Sequence, residues 1–130
     1  MLKQRIITAL ALLAVLLPAL FAETPQAFLI LSALLIAAGA WEWARMNGMA
    51  NVQSVVSGVM CAGMCALAWW AGWTSQTQTW LWWFAGASWV GLTTWMLLRG
   101  VQGWALWRQN VRWVLGVLML WLAWLAMAQA

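Results

Sequence analysis

The fold is decided by residues 52–98, VQSVVSGVMCAGMCALAWWAGWTSQTQTWLWWFAGASWVGLTTWMLL, which lie within a stretch of 53 residues between Arg45 and Arg99 that has no charged side chain. A helix needs roughly 20 apolar residues to cross the hydrocarbon of a bilayer. The stretch is therefore too long for one span. Six consecutive polar residues at 74–79 divide it and have the composition of a loop. The pattern predicts two transmembrane helices joined by a polar turn.

The composition of the whole chain indicates the same environment. Hydrophobic residues make up 67% of the 130 residues and charged residues 6%. Soluble domains are about a quarter charged, so this chain has too few charges to cover a water-facing surface, and it is too apolar to be disordered. No strand-like alternation is present, and lipid admits only helices and closed barrels. We therefore expect an all-α integral membrane protein.

The charged residues divide the chain into five predicted spans, within a single membrane domain covering 1–130. The spans are residues 6–22, 27–44, 52–73, 80–98 and 113–127. With the N-terminus in the cytoplasm, all six basic residues fall on cytoplasmic segments, and the outer loops at 23–26 and 74–79 have none. Twelve of the 15 tryptophans then lie near a membrane border. The other three, Trp89, Trp121 and Trp124, are predicted to be packing residues.

The residue types that are missing exclude several functions. The chain has no Asp and no His, and its two acids are Glu23 and Glu42. Zinc sites, aspartate-held Mg²⁺ and Ser-His-Asp catalysis need residues that are absent here. The basic residues are scattered between apolar runs, so they form no patch for nucleic acid. We assign no catalytic residue, cofactor or metal ligand to this chain and expect the lipid bilayer as its surroundings.

Glu42 and Arg45 are the most distinctive polar pair in the sequence. They are three residues apart near the end of span two, so on a helix they share a face and can form an ion pair. An acid near the border of a membrane is costly unless it is paired or hydrated. An interfacial ion pair is the preferred interpretation, and a proton or cation site is the alternative.

Span three has small residues at every fourth position. Such residues let helix backbones approach closely in lipid. The row predicts a helix-packing seam, formed within this chain or with a partner, and consists of Ser54, Gly58, Ala62 and Ala66. Cys61 and Cys65 lie in an adjacent row with Ser57 and are interpreted as small apolar residues.

Residues 99–112 contain three arginines and no acid: Arg99, Arg108 and Arg112. Trp104, Trp107 and Val111 would share one helical face, which predicts a short interfacial helix before the last span. The arginines are a candidate contact for an anionic lipid headgroup. The alternative is that they determine topology and extend their side chains to the interface.

Three segments, in this order and at this spacing, resemble one protein family. They are MLKQRIITA at 1–9, AWEW at 40–43, and WRQN at 107–110 leading to GVL at 116–118. Together they resemble the N-terminal half of bacterial phosphatidate cytidylyltransferase, also called CDP-diacylglycerol synthase. The resemblance covers nearly all of this chain but about half of a family member.

The resemblance implies a multi-pass enzyme of the bacterial inner membrane. Such an enzyme condenses CTP with phosphatidate to CDP-diacylglycerol and pyrophosphate, with Mg²⁺ and a monovalent cation. The catalytic signature of the family, which includes His-Gly-Gly and Asp-Arg, belongs to the C-terminal half, and no position here matches it. The expected function is therefore that of a membrane domain that is inactive alone and packs beside a separate C-terminal half or in a homo-oligomer.

Two alternatives come from other classes of protein. The first alternative is a small exporter-like transporter that uses Glu42 for proton coupling. The second is a non-enzymatic membrane subunit that binds a partner through span three.

Overall fold

A computed structural model describes residues 1–130, apart from the side chain of Val101. The chain is all-helical, and no β-strand occurs in residues 1–130. Its helices are α1 (Leu2–Leu20), α2 (Pro25–Met46), α3 (Asn51–Trp70), α4 (Thr79–Arg99), α5 (Val101–Ala105) and α6 (Gln109–Gln129). The five predicted spans correspond to α1, α2, α3, α4 and α6, and their boundaries differ by a few residues.

Four of these helices, α1, α2, α3 and α6, are long and apolar enough to cross a membrane. α4 has 21 residues, the same length as α6. It falls outside this set of four and contains five tryptophans, each of which has a polar edge at its indole N–H.

Two glycines follow the ends of α2 and α3. Gly48 follows α2 with φ +77°, and Gly72 follows α3 with φ +75°. In this left-handed conformation the chain turns back on itself, and the amides of Met49 and Trp73 bond to carbonyls five residues earlier, at 3.2 and 2.9 Å. The preceding helix thereby satisfies some of its last carbonyl groups, and the next segment starts in the opposite direction.

The core consists of α2, α3 and α6. One buried cluster centres on Leu29, Cys65, Trp124 and Leu125, and the other on Ala40, Cys61 and Val117. α1 packs against α2, and none of its described residues is buried. The bundle has two ends: the arginine end, with residues 1–5, 45–51 and 99–112, and the glutamine end, with residues 20–25, 70–79 and 129–130.

α4 stands apart from this core. In the described part of the chain, its close backbone contacts are with α5 alone. The predicted interfacial helix is also shorter than its sequence pattern suggested. It ends at Ala105, and Val111 already belongs to α6, so Trp104, Trp107 and Val111 do not share one helix. The 106–108 turn interrupts the face because α6 must begin there to run back across the bundle.

Candidate functional site

The centre of the arginine end is a contact between Trp43 of α2 and Gly116 of α6. A Cβ atom built on Gly116 would overlap the indole nitrogen of Trp43, so this position accommodates the ring because it has no side chain. The Trp43 Nε1–H also donates a hydrogen bond to the Arg112 carbonyl at 3.2 Å. One turn further out, the Gln109 Nε2 atom donates to the Asn47 carbonyl at 2.7 Å. At this end, α2 and α6 are therefore joined by two hydrogen bonds and a close packing contact.

Three further tryptophans extend from Trp43 in a row of packed rings. Trp43 lies edge-on to Trp104, with ring centroids 6.3 Å apart, and Trp104 stacks on Trp107 at 5.9 Å. Trp107 in turn packs against Trp95 of α4 at 5.2 Å. This row of rings, the tryptophan bridge, connects α2 to α4 through α5 and the following turn.

Below the tryptophan bridge lies a cleft between α2, α4 and α6. Its volume is about 460 Å³, and Glu42 is the one charged residue in its wall. The lining residues are Gly39, Glu42, Trp43, Met46, Trp89, Leu92, Met96, Trp104, Leu115, Gly116, Met119 and Leu120. Trp89, predicted to be a packing residue, is 56% exposed on α4 beside this cleft.

The structure places Glu42 and Arg45 in a salt bridge on the surface of α2. Their Oε1 and Nη1 atoms are 3.1 Å apart, and both side chains are about half exposed. The Arg45 guanidinium also lies 5.3 Å from the centre of the Trp41 ring. An exposed pair of this kind contributes at most about 1 kcal/mol. The geometry favours the ion-pair interpretation, because Glu42 lacks the burial typical of a proton-carrying acid.

Two of the three arginines of the 99–112 segment lie one helical turn from residues that line the cleft. Arg99 ends α4, one turn beyond Met96, and its guanidinium is 5.9 Å from the Trp95 ring. Arg112 lies in the first turn of α6, one turn before Gly116, and Arg108 is exposed at the start of that helix. The Nε atom of Arg112 is buried and has no hydrogen-bond partner among the described side chains.

The small residues of span three face different surroundings along the helix. Ser54 and Gly58 are buried, and a Cβ on Gly58 would lie 3.0 Å from the Ala37 carbonyl oxygen of α2. Ala62 is half-buried, and Ala66 is exposed. The buried face continues instead through Cys61 and Cys65, so the packing seam follows this second row. Within this chain, the close approach is between α3 and α2.

Ser57 is a connecting residue that the sequence did not single out as a site. Its hydroxyl donates to the Ala40 carbonyl of α2 at 3.3 Å and accepts from the Trp113 Nε1–H of α6 at 2.9 Å. One buried side chain therefore joins all three core helices. The sequence shows a polar serine between valine and glycine in an apolar helix, which indicates a residue in need of hydrogen-bond partners. Those partners lie 17 and 56 residues away, so the sequence does not identify them.

Gln129 performs a similar role at the glutamine end. Its Nε2 atom donates to the Trp73 and Gln76 carbonyls at 2.7 and 3.1 Å, and its Oε1 accepts from the Trp82 indole of α4 at 2.8 Å. α4 is thus attached to the bundle by this hydrogen bond at one end and by the tryptophan bridge at the other.

No family model, curated protein or solved structure matches this chain. Among the described side chains, no three His, Cys, Asp or Glu residues come together as a metal-binding group.

Proposed function

We propose that this chain is the N-terminal membrane domain of an enzyme resembling phosphatidate cytidylyltransferase, and that it has no activity alone. In this proposal it works in the bacterial inner membrane beside a C-terminal half that contributes the catalytic groups. The substrates of the complete enzyme are CTP and phosphatidate.

One observation carries this proposal. Two of the three segments that resemble the family, 40–43 and 107–118, are more than 60 residues apart in sequence, yet they meet at the arginine end. Trp43 of the first segment packs on Gly116 and bonds to the Arg112 carbonyl of the second. Side chains that form one functional surface must be neighbours in space, and these segments satisfy that condition.

The charges at this end suit a phosphate-containing substrate but not its metal ion. Arginine can neutralise the charge of phosphate oxygens. Mg²⁺ prefers several oxygen ligands, whereas the one carboxylate at this end, Glu42, is paired with Arg45. The residues present therefore do not fit Mg²⁺, and we assign no metal-dependent step to this chain.

The proposal includes five spans with a cytoplasmic N-terminus. A helix of 21 residues is about 31 Å long, which is close to the roughly 30 Å of hydrocarbon in a bilayer, so α4 has the length of a fifth span. The arginine end contains all the basic residues and is then cytoplasmic.

The test is a split-enzyme complementation. Cells depleted of their own cytidylyltransferase would express this chain alone, the C-terminal half of a family member alone, or both. We expect CDP-diacylglycerol synthesis with both halves and with neither alone. The family member's own two halves, expressed separately, show whether the split is tolerated.

Two results would contradict the proposal. The first is synthesis by this chain alone, which would mean that it contains its own catalytic groups. The second is failure of the mixed pair when the family member's own halves succeed and all proteins reach the membrane. A Gly116→Leu variant is expected to abolish complementation, whereas Gly91→Leu, at a position with nothing within 4 Å of a Cβ, retains it.

A further inference from the structure

We propose that the cleft between α2, α4 and α6 is a binding site for an anionic phospholipid of the surrounding bilayer. The acyl chains lie in the cleft, and the phosphate group lies at its mouth between Arg99 and Arg112. This proposal is independent of the enzymatic one, since it concerns a resident lipid and needs no catalytic partner.

The shape of the cleft suits hydrocarbon chains. Its walls extend from Gly39 to Met46 on α2 and from Trp89 to Met96 on α4, which corresponds to a depth of about 10 Å at the rise of an α-helix. A volume of about 460 Å³ over this depth gives a mean cross-section of about 45 Å². Methylene chains are about 4 Å wide at van der Waals contact, so two of them fit side by side.

The residues that line the cleft favour an apolar and flexible ligand. Apart from Glu42 at the rim, its side chains are tryptophan, leucine and methionine, and methionine adapts its shape to irregular neighbours. An empty space of this size would leave the lining atoms without contacts on one side, which is unfavourable. α4 lacks close backbone contact with the core. A lipid of the bilayer can therefore enter the cleft beside this helix.

The charge at the mouth selects the kind of lipid. Arg45 is already paired with Glu42, and α1 with its two basic residues contributes nothing to the cleft wall. The remaining positive charge beside the cleft is that of the arginines of the 99–112 segment. Arg99 and Arg112 lie one turn beyond the lining residues of α4 and α6, and the buried Nε of Arg112 has no partner among the described side chains. A guanidinium binds phosphate oxygens with two parallel hydrogen bonds, and its positive charge favours an anionic headgroup over a zwitterionic one.

Native mass spectrometry of the detergent-purified protein provides the test. The probes are phosphatidylglycerol, phosphatidylcholine and phosphatidate with identical acyl chains. We expect one phosphatidylglycerol per protein to be retained under conditions that remove phosphatidylcholine. The double variant Arg99→Gln/Arg112→Gln should reduce affinity about 25-fold, because each arginine near an anionic lipid contributes about five-fold. The matched control, Lys3→Gln/Arg5→Gln, removes two charges from the same end on α1 and should change little.

A second pair of variants tests the cleft itself. Leu115→Trp fills it and should abolish retention, whereas Leu118→Trp, at an exposed position of the same helix, should not. Far-UV circular dichroism verifies that each variant is folded. Equal retention of both lipids, equal losses in the two double variants, or unchanged binding by Leu115→Trp would overturn the proposal. Retention of phosphatidate alone would also overturn it, because the cleft would then be a substrate site.

Discussion

Replacing Gly116 by alanine tests the contact on which the arginine end depends. The new Cβ would overlap the Trp43 indole, so the ring must move away from α6. Overpacking of this kind costs about 1–3 kcal/mol, and displacing the ring also breaks its hydrogen bond to Arg112, which is worth about 0.6 kcal/mol in a membrane protein. Alanine regains up to about 1 kcal/mol as the better helix former. The net expectation is a loss of about 1–3 kcal/mol.

The assay is unfolding by sodium dodecyl sulfate in mixed micelles, followed by far-UV circular dichroism. Gly91→Ala is the matched control, since nothing lies within 4 Å of a Cβ at that position of α4, and it should be neutral or stabilising by up to about 1 kcal/mol. In a Trp43→Ala background the Gly116→Ala change should lose its cost, which gives a coupling energy of about 2 kcal/mol. A Gly116→Ala protein as stable as Gly91→Ala, or a coupling energy near zero, would refute the reasoning.

Three further predictions concern the rest of the core. Ser57→Ala should lower the free energy of unfolding in the same assay by about 1 kcal/mol, because it leaves the partly buried Trp113 indole N–H unpaired; an unchanged stability would contradict this. Gln129→Leu should speed hydrogen–deuterium exchange at the first turn of α4 without affecting the arginine end, since three hydrogen bonds are lost; uniform exchange rates would count against it. Cys61 and Cys65 should react with a thiol reagent at least about 100-fold more slowly in the folded protein than after unfolding in sodium dodecyl sulfate, because access requires local opening; comparable rates would show that the core is open.

Helix positions could be predicted from the sequence because they depend on local properties. The lengths of the uncharged runs and the polar 74–79 segment place α1 to α4 and α6 to within a few residues. The separation of α4 from the core could not be predicted in this way. It depends on which helices pack against each other, and α4 is as rich in apolar and small residues as its neighbours. The cleft exists because of this separation, so the sequence did not predict the cleft either.

The row of small residues on α3 shows a more specific limit. Residues four apart on an α-helix are displaced by about 40° at each step, so a row that begins at Ser54 has turned by about 120° when it reaches Ala66. The buried face of a packed helix alternates steps of three and four residues. It therefore passes from Ser54 through Cys61 to Ala68, while Ala66 turns outward. The spacing indicated the helix and the start of its contact, but not the full length of that contact.

The tryptophans have a second role besides the predicted one of lying at the membrane borders. Four indole N–H groups donate hydrogen bonds between separate helices, at 2.8 to 3.2 Å: Trp43 to Arg112, Trp82 to Gln129, Trp113 to Ser57 and Trp124 to Leu29. Two of these acceptors are helix carbonyls, and a carbonyl oxygen can accept more than one hydrogen bond. The Leu29 carbonyl also accepts from the Ser32 hydroxyl at 3.1 Å. In a chain with no Tyr, His or Asp, the indole is the one side chain that combines a large apolar body with a hydrogen-bond donor. Interhelical hydrogen bonds stabilise helix association in lipid, so the many tryptophans help to hold the helices together as well as to position them in the membrane.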